Sequence, residues 1–311
     1  MTDWNRAAIP AASSAGIARK LLHDPAARVG LALVTLFVVM AVFGPSLAPQ
    51  DPLEVTPDRL QPPSFRHPLG TDGLGRDLLS RLLTGARLSL GTALLASLLV
   101  TLIGVLLGTL AGFYGGFVDR LLMRTVDVVL AVPGLALALA VTGLFQPSLT
   151  AVMLGLVTIW WAGYARVVRG LVLAMRERPF VEAARASGAS GGRIMLRHVL
   201  PNVVSPVVVL ATLEMGQLIL AVSGLTFLGL GAPPPTPEWG AMLNDGRIYF
   251  LSDPHVVFIP GLAISLAVLG FNLLGDGIRD ALDPRLQVAI RTPRGLRRAA
   301  SVRLGDSADR G

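Results

Sequence analysis

The chain has 311 residues, of which 52% are hydrophobic and only 15% are charged, and its mean hydropathy is +0.63. Soluble globular proteins carry about 25% charged residues, so this composition excludes an ordinary soluble protein and indicates a membrane protein with several spans. The absence of cysteine excludes disulfides, thiolate metal sites and cysteine nucleophiles. In a membrane protein, a net charge of +7 is typical of arginines that mark cytoplasmic loops, so we expect no nucleic-acid partner.

The first predicted span is an uncharged run at residues 29–47, preceded by a polar, basic segment at residues 1–28. A secretory signal is the competing interpretation, because Ser46, Leu47 and Ala48 resemble a cleavage site. The apolar run is longer than a usual signal core, and much more membrane segment follows. These features favour a retained transmembrane helix.

A polar, proline-rich loop at residues 48–86 follows the first span. Gly73 and Gly75 do not indicate a dinucleotide site, since no strand precedes them and no third glycine falls in register. The leucines near the end of the loop instead predict an amphipathic helix at the membrane interface. They are Leu78, Leu79, Leu82 and Leu83.

Five more apolar segments predict five more spans, which makes the expected fold an all-α polytopic membrane protein with six transmembrane helices. The segments are residues 88–118, with a glycine-rich turn at its end, 119–145, 146–175, 203–230 and 256–275. Between the last two, residues 236–253 are polar, with Trp239 and Tyr249 suited to a membrane interface. A basic tail at residues 285–311 ends the chain.

The loop at residues 176–202 is basic and glycine-punctuated, although it lies between two apolar segments. Pro179 suits a first helical turn, Gly188 a helix C-terminal cap and Ser190 an N-cap of a second short helix. That second helix is expected to end near Pro201. The loop therefore predicts a compact helix-turn-helix knob presented to a protein partner. Its Arg193 and Arg197 share one side, which favours an anionic partner.

Counting Lys and Arg orients the chain. With a cytoplasmic N-terminus, 21 of them lie on the inner side and five on the outer side, with Arg87 at a helix edge. This asymmetry predicts that the loop at residues 176–202 and both termini are cytoplasmic.

Three of the charged residues within the predicted spans are candidates for a functional role, because charges inside a membrane are costly. Arg124 and Asp127 are three positions apart on one helix face, and we expect them to pair with each other. Glu214 lies in the middle of the fifth span without a charged neighbour at helical spacing. Its carboxylate is expected either to line a translocation path or to pair with another subunit, and both alternatives stay open.

Most enzymatic chemistry is absent from the sequence. No phosphate-binding GxxxxGK[ST] loop occurs, and residues 188–193 lack its lysine and follow a helix. The four histidines make no ligand pair at metal spacing. A docking knob without an ATP site of its own implies a separate energy-coupling subunit.

The motif that decides the interpretation is Glu182-Ala183-Ala184, followed by Gly188 and by His198-Val199-Leu200-Pro201-Asn202. It resembles the EAA loop of ATP-binding-cassette importer permeases. The resemblance is to the DppC/OppC branch of dipeptide, oligopeptide and nickel importers, and it covers nearly the whole chain. Further motifs typical of that branch are His67 to Asp72, Tyr114 to Asp119, Tyr164 to Arg166, Ser223 to Gly231, Pro234 to Gly240, Asn272 to Gly277 and Asp280 to Pro284.

The resemblance implies a type I (MetI-like) core of five helices plus an N-terminal helix. It divides the chain into a cytoplasmic segment (1–28), a first helix with an external loop (29–87), a permease domain (88–284) and a cytoplasmic tail (285–311). In such a permease, the loop docks in a groove of the ATPase and transmits its closure. The residues expected to couple to the ATPase are Glu182, Ala183, Ala184, Gly188, Arg193, Arg197, His198, Leu200, Pro201 and Asn202.

The resemblance also implies the partners. We expect a sister permease of the DppB/OppB type, one or two ATPase subunits, membrane lipid and an external solute-binding protein. The solute-binding protein would contact residues 48–86 and 236–253. The chain is expected to be a non-catalytic subunit of the bacterial inner membrane without a cofactor, while ATP and magnesium belong to the ATPases. Di- or oligopeptides are the expected substrates, with nickel chelates or glutathione-like solutes as alternatives.

Many relatives carry an acid where this chain has Val222, so Glu214 departs from the pattern. A different hypothesis is an ion-coupled carrier that acts alone, with Glu214 as its ion site.

Overall fold

A computed structural model describes residues 21–282, in which every long element is an α-helix. The helices are α1 (Pro25–Leu47), α2 (Leu78–Tyr114), α3 (Gly116–Leu130), α4 (Gly134–Thr142), α5 (Leu149–Arg176), α6 (Pro179–Ala186), α7 (Gly191–Ile194), α8 (Leu200–Phe227), α9 (Trp239–Gly246) and α10 (His255–Leu282). This confirms the predicted all-α class. Most of the predicted N-terminal segment and the whole tail at residues 285–311 lie outside the described residues.

Five helices are long and apolar enough to cross a membrane: α1, α2, α5, the continuous run Gly191–Phe227 that ends with α8, and α10. The third predicted span, at residues 119–145, is present as two helices, α3 and α4, which are bent by 86° relative to each other. Together the two helices are long and apolar enough to form this span, but as a bent pair and not as one continuous helix. Pro133 lies at the break, where it lacks an N–H group and disfavours helical backbone at Val132.

The second span begins earlier than predicted. Residues 78–83 are the first turns of α2 and not a separate helix at the membrane interface. Asp77 caps α2 by accepting a hydrogen bond from the Ser80 backbone N–H at 2.8 Å. Leu78 and Arg81 are each only 1% exposed, because loop residues cover this end of the helix. The leucine pattern indicated burial against protein, which the sequence alone could not distinguish from burial in lipid.

The centre of the bundle is the packing of α2 against α5. Gly104, Gly108 and Gly112 form a stripe on α2, and an added Cβ at Gly108 would lie 2.5 Å from the Ala165 carbonyl oxygen. At Gly112 it would lie 2.8 Å from the Cβ of Val172. Small residues at four-residue spacing let two membrane helices approach closely. The first predicted span also belongs to this bundle, since α1 packs along α2 and α10.

The loops at residues 48–77 and 228–254 meet at the end of the bundle away from the α5–α8 loop, and Trp239 is their shared core. Its side chain is fully buried, contacts Phe37 edge-on at 5.7 Å and donates a hydrogen bond from Nε1 to the Leu82 carbonyl at 3.0 Å. The expectation that Trp239 lies at a membrane interface is therefore wrong. Its indole N–H has a protein acceptor, which allows complete burial.

Candidate functional site

The loop between α5 and α8 begins with α6, which has Pro179 in its first turn, as predicted. The turn that terminates α6 contains Gly188, whose φ of +77° lies in the left-handed region. The Gly188 N–H bonds the Arg185 carbonyl at 3.0 Å, and the Ala189 N–H bonds the Ala184 carbonyl at 3.1 Å. This pair of hydrogen bonds is the Schellman motif, so the predicted glycine cap is confirmed.

The second half of the loop differs from the prediction. Ser190 precedes α7 at the N-cap position, but its side chain makes no capping hydrogen bond. After α7, a π-helical turn at Met195–Val199 leads without interruption into α8. Pro201 thus lies in the first turn of α8, and the expectation that the helix ends there is wrong.

The π-helical turn explains how the helix accommodates Pro201. Proline has no N–H group to donate, and its ring crowds the carbonyl four residues earlier. In the wider turn, the Leu200 N–H bonds the Met195 carbonyl, five residues back. The side chain of Asn202 donates from Nδ2 to the His198 carbonyl at 2.7 Å, which satisfies another carbonyl near the proline. Proline and asparagine therefore continue the helix instead of ending it.

An apolar inner side holds the loop against the bundle. Val181, Ile194 and Val199 are at most 2% exposed and share one cluster with buried valines of α5 and α8. These valines are Val168, Val172, Val203 and Val207. Burying apolar side chains on both halves of the loop fixes its position relative to the spans.

The outer side of the loop is polar and exposed. Of the residues predicted to couple to an ATPase, those exposed to solvent are Glu182, Ala183, Gly188, Arg193, Arg197, Pro201 and Asn202, while Ala184, His198 and Leu200 are half-buried. Within residues 21–282, no ion pair engages Glu182, Arg193 or Arg197. Their charges are therefore available to a partner.

Ion pairs connect α3 to α5 beside the loop. The Arg169 guanidinium donates two hydrogen bonds to the Asp119 carboxylate, and Arg166 pairs with Asp127. The predicted pairing of Arg124 with Asp127 is therefore corrected, because the packing of α3 on α5 brings Asp127 to Arg166 instead. Sequence reasoning missed both pairs. The eight-residue spacing of the two aspartates, which places them close in angle on α3, was the available signal.

Glu214 lies on α8 and is half-buried. Its Oε2 atom is buried and makes no hydrogen bond to any described residue. The Tyr164 hydroxyl, within electrostatic reach of Glu214, is also buried. Nearby, an open apolar groove of about 620 Å³ runs between α2, α8 and α10. Val203, Val207 and Met215 are among the residues that line it.

Comparison with known proteins identifies the family. Residues 104–288 match the family described as binding-protein-dependent transport system inner membrane component. The chain belongs to this family of permeases. Residues 15–63 match the N-terminal transmembrane domain of oligopeptide transport permease C, in agreement with the predicted N-terminal helix.

Relatives of this permease cover most of its length. The dipeptide transport system permease protein DppC of Alkalihalophilus pseudofirmus is 43% identical over 86% of this chain and 89% of its own. The glutathione transport system permease protein GsiD of Shigella flexneri is 46% identical, and that of Escherichia coli O157:H7 is 45% identical, over the same shares. The predicted resemblance to the DppC/OppC branch of importer permeases is confirmed.

Proposed function

We propose that this permease is one of two membrane subunits of an ATP-driven importer for di- or oligopeptides, and that the loop at residues 176–202 receives the ATPase. The observation that carries the proposal is the form of the loop. Its inner side is anchored by Val181, Ile194 and Val199, whereas its outer side presents charges that no described residue pairs. A knob with free charges suits docking into a groove of another protein. Without an anionic partner, the like charges of Arg193 and Arg197 cost only about 0.2–0.5 kcal/mol.

In this proposal, the loop and both termini are cytoplasmic, and the loops at residues 48–86 and 236–253 face the external solute-binding protein. The excess of Lys and Arg on the proposed inner side supports this orientation. ATP and magnesium would act on the partner ATPase subunits.

The substrate class rests on the relatives. One is named for dipeptide transport and another for glutathione transport, and both solutes are small and peptide-like. We propose peptides as the substrate, with glutathione-like solutes and nickel chelates as alternatives that the same experiment separates.

The test is uptake by proteoliposomes that contain this permease, its sister permease, the ATPases and the binding protein. We expect vanadate-sensitive, ATP-dependent uptake of a labelled dipeptide. Unlabelled dipeptide should compete, while glutathione or a nickel–histidine chelate should compete only if it is the true substrate. Uptake driven by a proton or sodium gradient without ATP would refute the proposal and favour a carrier acting alone.

Glu214 has two proposed roles, lining of the translocation path or pairing with the sister permease. The buried Oε2 atom without a described hydrogen-bond partner supports both. Glu214→Gln keeps the shape of the side chain and removes its charge. Slower uptake by an intact complex would favour path lining, loss of the sister permease during purification would favour pairing, and unchanged uptake and assembly would refute both.

A further inference from the structure

The segment that joins α9 to α10 contains an apolar tip at residues 247–251. The tip consists of a 3₁₀ turn at Arg247–Tyr249 followed by Phe250 and Leu251. Ile248, Phe250 and Leu251 are 72%, 50% and 94% exposed, so three large apolar side chains lie uncovered within one short turn. Apolar side chains scattered singly are normal on a protein surface, whereas a group of them marks a contact with a partner or with a membrane.

Packing holds the tip at the level of the first turn of α10. Gly246, just before the tip, is buried, and an added Cβ there would lie 3.0 Å from the side chain of Val256. The ring of Phe250 lies 6.0 Å from the ring of Phe258. Since Val256, Val257 and Phe258 make the first turn of α10 apolar, this candidate membrane span begins at the level of the tip.

An exposed stripe on α10 continues the apolar surface of the tip. Phe258, Leu262 and Leu269 are all exposed, and at 3.6 residues per turn they lie within about 40° of one another around the helix. Other sides of α10 pack on the bundle, since Gly270 lies close against α1 and Gly275 close against α8. The stripe therefore turns away from the bundle, as the lipid-facing side of a membrane span does. Through the contact between the two phenylalanine rings, the tip and the stripe form one continuous apolar surface.

The polar side chains of the tip suit the headgroup level of a bilayer. Tyr249 turns inward, since an added Cβ at Gly73 would lie 2.5 Å from its hydroxyl oxygen, and this leaves the three apolar side chains pointing outward. Arg247 is exposed and bonds the Asn244 side chain, but it forms no ion pair with any described residue. An unpaired arginine beside large apolar side chains is the pattern of segments that lie at a membrane surface.

We propose that residues 247–251 dock on the bilayer surface at this end of the bundle, with the three apolar side chains below the headgroups and Arg247 on a phospholipid phosphate. Such an anchor would fix the depth of α10 in the membrane. The inference goes beyond the proposed function, since it needs neither a substrate nor the ATPase. It assigns these five residues to lipid and leaves the rest of residues 48–86 and 236–253 to the solute-binding protein.

The test uses single-cysteine variants, because the chain has no cysteine of its own and a thiol-reactive fluorophore then reports one position. Leu251→Cys carries the probe in the tip. Phe65→Cys is the matched control, since Phe65 is a fully exposed apolar residue in the loop at residues 48–77. Leu262→Cys, on the exposed stripe of α10, is the lipid reference.

The labelled full chain is measured in nanodiscs with an environment-sensitive fluorophore. At position 251 we expect emission at a shorter wavelength than at position 65, and quenching by lipids that carry a nitroxide near the headgroup. At position 262, a nitroxide deep in the acyl chain should quench best. Emission at 251 typical of water, without quenching by either lipid, would overturn the proposal. Quenching at 65 as strong as at 251 would show that the fluorophore itself seeks the bilayer, and would overturn it too.

The same labels separate lipid from a protein partner. In nanodiscs that contain the permease pair and an excess of the solute-binding protein, quenching at position 251 by lipid should persist. Its loss on addition of either protein would assign the tip to that protein and refute docking on lipid. Persistent quenching together with an absence of ATP-driven dipeptide uptake would refute the proposed function alone.

Arg247→Gln, combined with Leu251→Cys, tests the phosphate contact. One basic side chain near the surface enriches anionic lipid about fivefold, so this variant should need about fivefold more nitroxide-labelled anionic lipid, diluted in zwitterionic lipid, for equal quenching. Arg59→Gln is the control, since Arg59 is also exposed and forms no ion pair with a described residue. Equal shifts in the two variants, or no shift for Arg247→Gln, would refute the phosphate contact.

Discussion

The capping of α6 by Gly188 leads to a sharp prediction about coupling. Gly188 has a φ of +77°, and an added Cβ would meet nothing within 4 Å. Gly188→Ala therefore introduces no steric collision with another residue, and its whole effect is the cost of left-handed backbone for a residue with a Cβ.

That cost is about 1–2 kcal/mol for alanine, and it is smaller for asparagine, which enters the left-handed region more readily. If the ATPase binds only the loop conformation in which Gly188 is left-handed, its affinity falls in proportion to the fraction of permease in that conformation. A cost of about 1–2 kcal/mol therefore lowers the affinity by up to about 5- to 30-fold. We expect Gly188→Ala to weaken ATPase binding by this factor and Gly188→Asn to weaken it by less.

The assay is binding of the purified ATPase to the permease pair in nanodiscs, followed by ATP-driven uptake with the same variants. Gly192→Ala is the control, since Gly192 is exposed in α7, and its added Cβ would also meet nothing within 4 Å. Its backbone is helical, so alanine there should leave binding unchanged or slightly stronger. Equal losses for Gly188→Ala and Gly188→Asn, or a similar loss for Gly192→Ala, would refute the role of the backbone turn.

Three further predictions concern the two ends of the bundle. Trp239→Ala should destabilise the protein by about 3–5 kcal/mol, measured by unfolding in detergent, because it leaves a cavity at a buried site and the Leu82 carbonyl without its indole donor. Trp161→Ala is the control and should cost clearly less, since that indole is half-buried and donates only to a carbonyl of its own helix. Burial raises the pKa of Glu238 despite its hydrogen bonds from Ser89 and Ala241. The stabilising contribution of protonated Glu238 is therefore complete below the ordinary carboxyl pKa of about 4.3 and is lost as the pH rises through the raised value. Glu238→Gln should unfold at a temperature that depends less on pH over that interval, and an unchanged pH dependence would contradict the assignment. Finally, Asp119→Asn should lower the free energy of unfolding by up to about 1 kcal/mol, since it breaks the bidentate pair with Arg169. Arg124→Ala should leave that free energy unchanged, because Arg124 takes part in neither aspartate pair. Equal losses of stability in the two variants would show that the assigned pairing is wrong.

The membrane spans and the glycine cap could be predicted because each depends on local sequence. An uncharged apolar run of sufficient length has few alternatives to a membrane helix, and a glycine that follows a short helix has a specific backbone role. For the same reason, Pro179 was placed correctly in the first turn of α6.

The features that were missed depend on contacts between distant residues. Asp119 and Arg169 are 50 positions apart, and the spacing of the two aspartates on α3 does not say which basic residues of α5 they meet; that depends on how α3 packs on α5. Trp239 is buried because Phe37 and Leu82 come from other helices to meet it. At Pro201, the local rule that proline ends a helix was overridden by a π-helical turn and by the Asn202 side chain, which provide another way to satisfy the backbone.

The unbroken helical run Gly191–Phe227 has a mechanical consequence. It contains 37 residues, so it is about 55 Å long. One end carries the exposed Arg193 and Arg197, and towards the other end Leu218 and Ile219 are packed in the main apolar core. A rod of this kind acts as a lever, because a sideways displacement of one end about a central pivot produces an opposite displacement of similar size at the other. A force applied to the exposed arginines would thus reach the far side of the bundle through one continuous element. The π-helical turn at Met195–Val199 and the prolines Pro201 and Pro206 place any bending of this element near its arginine end.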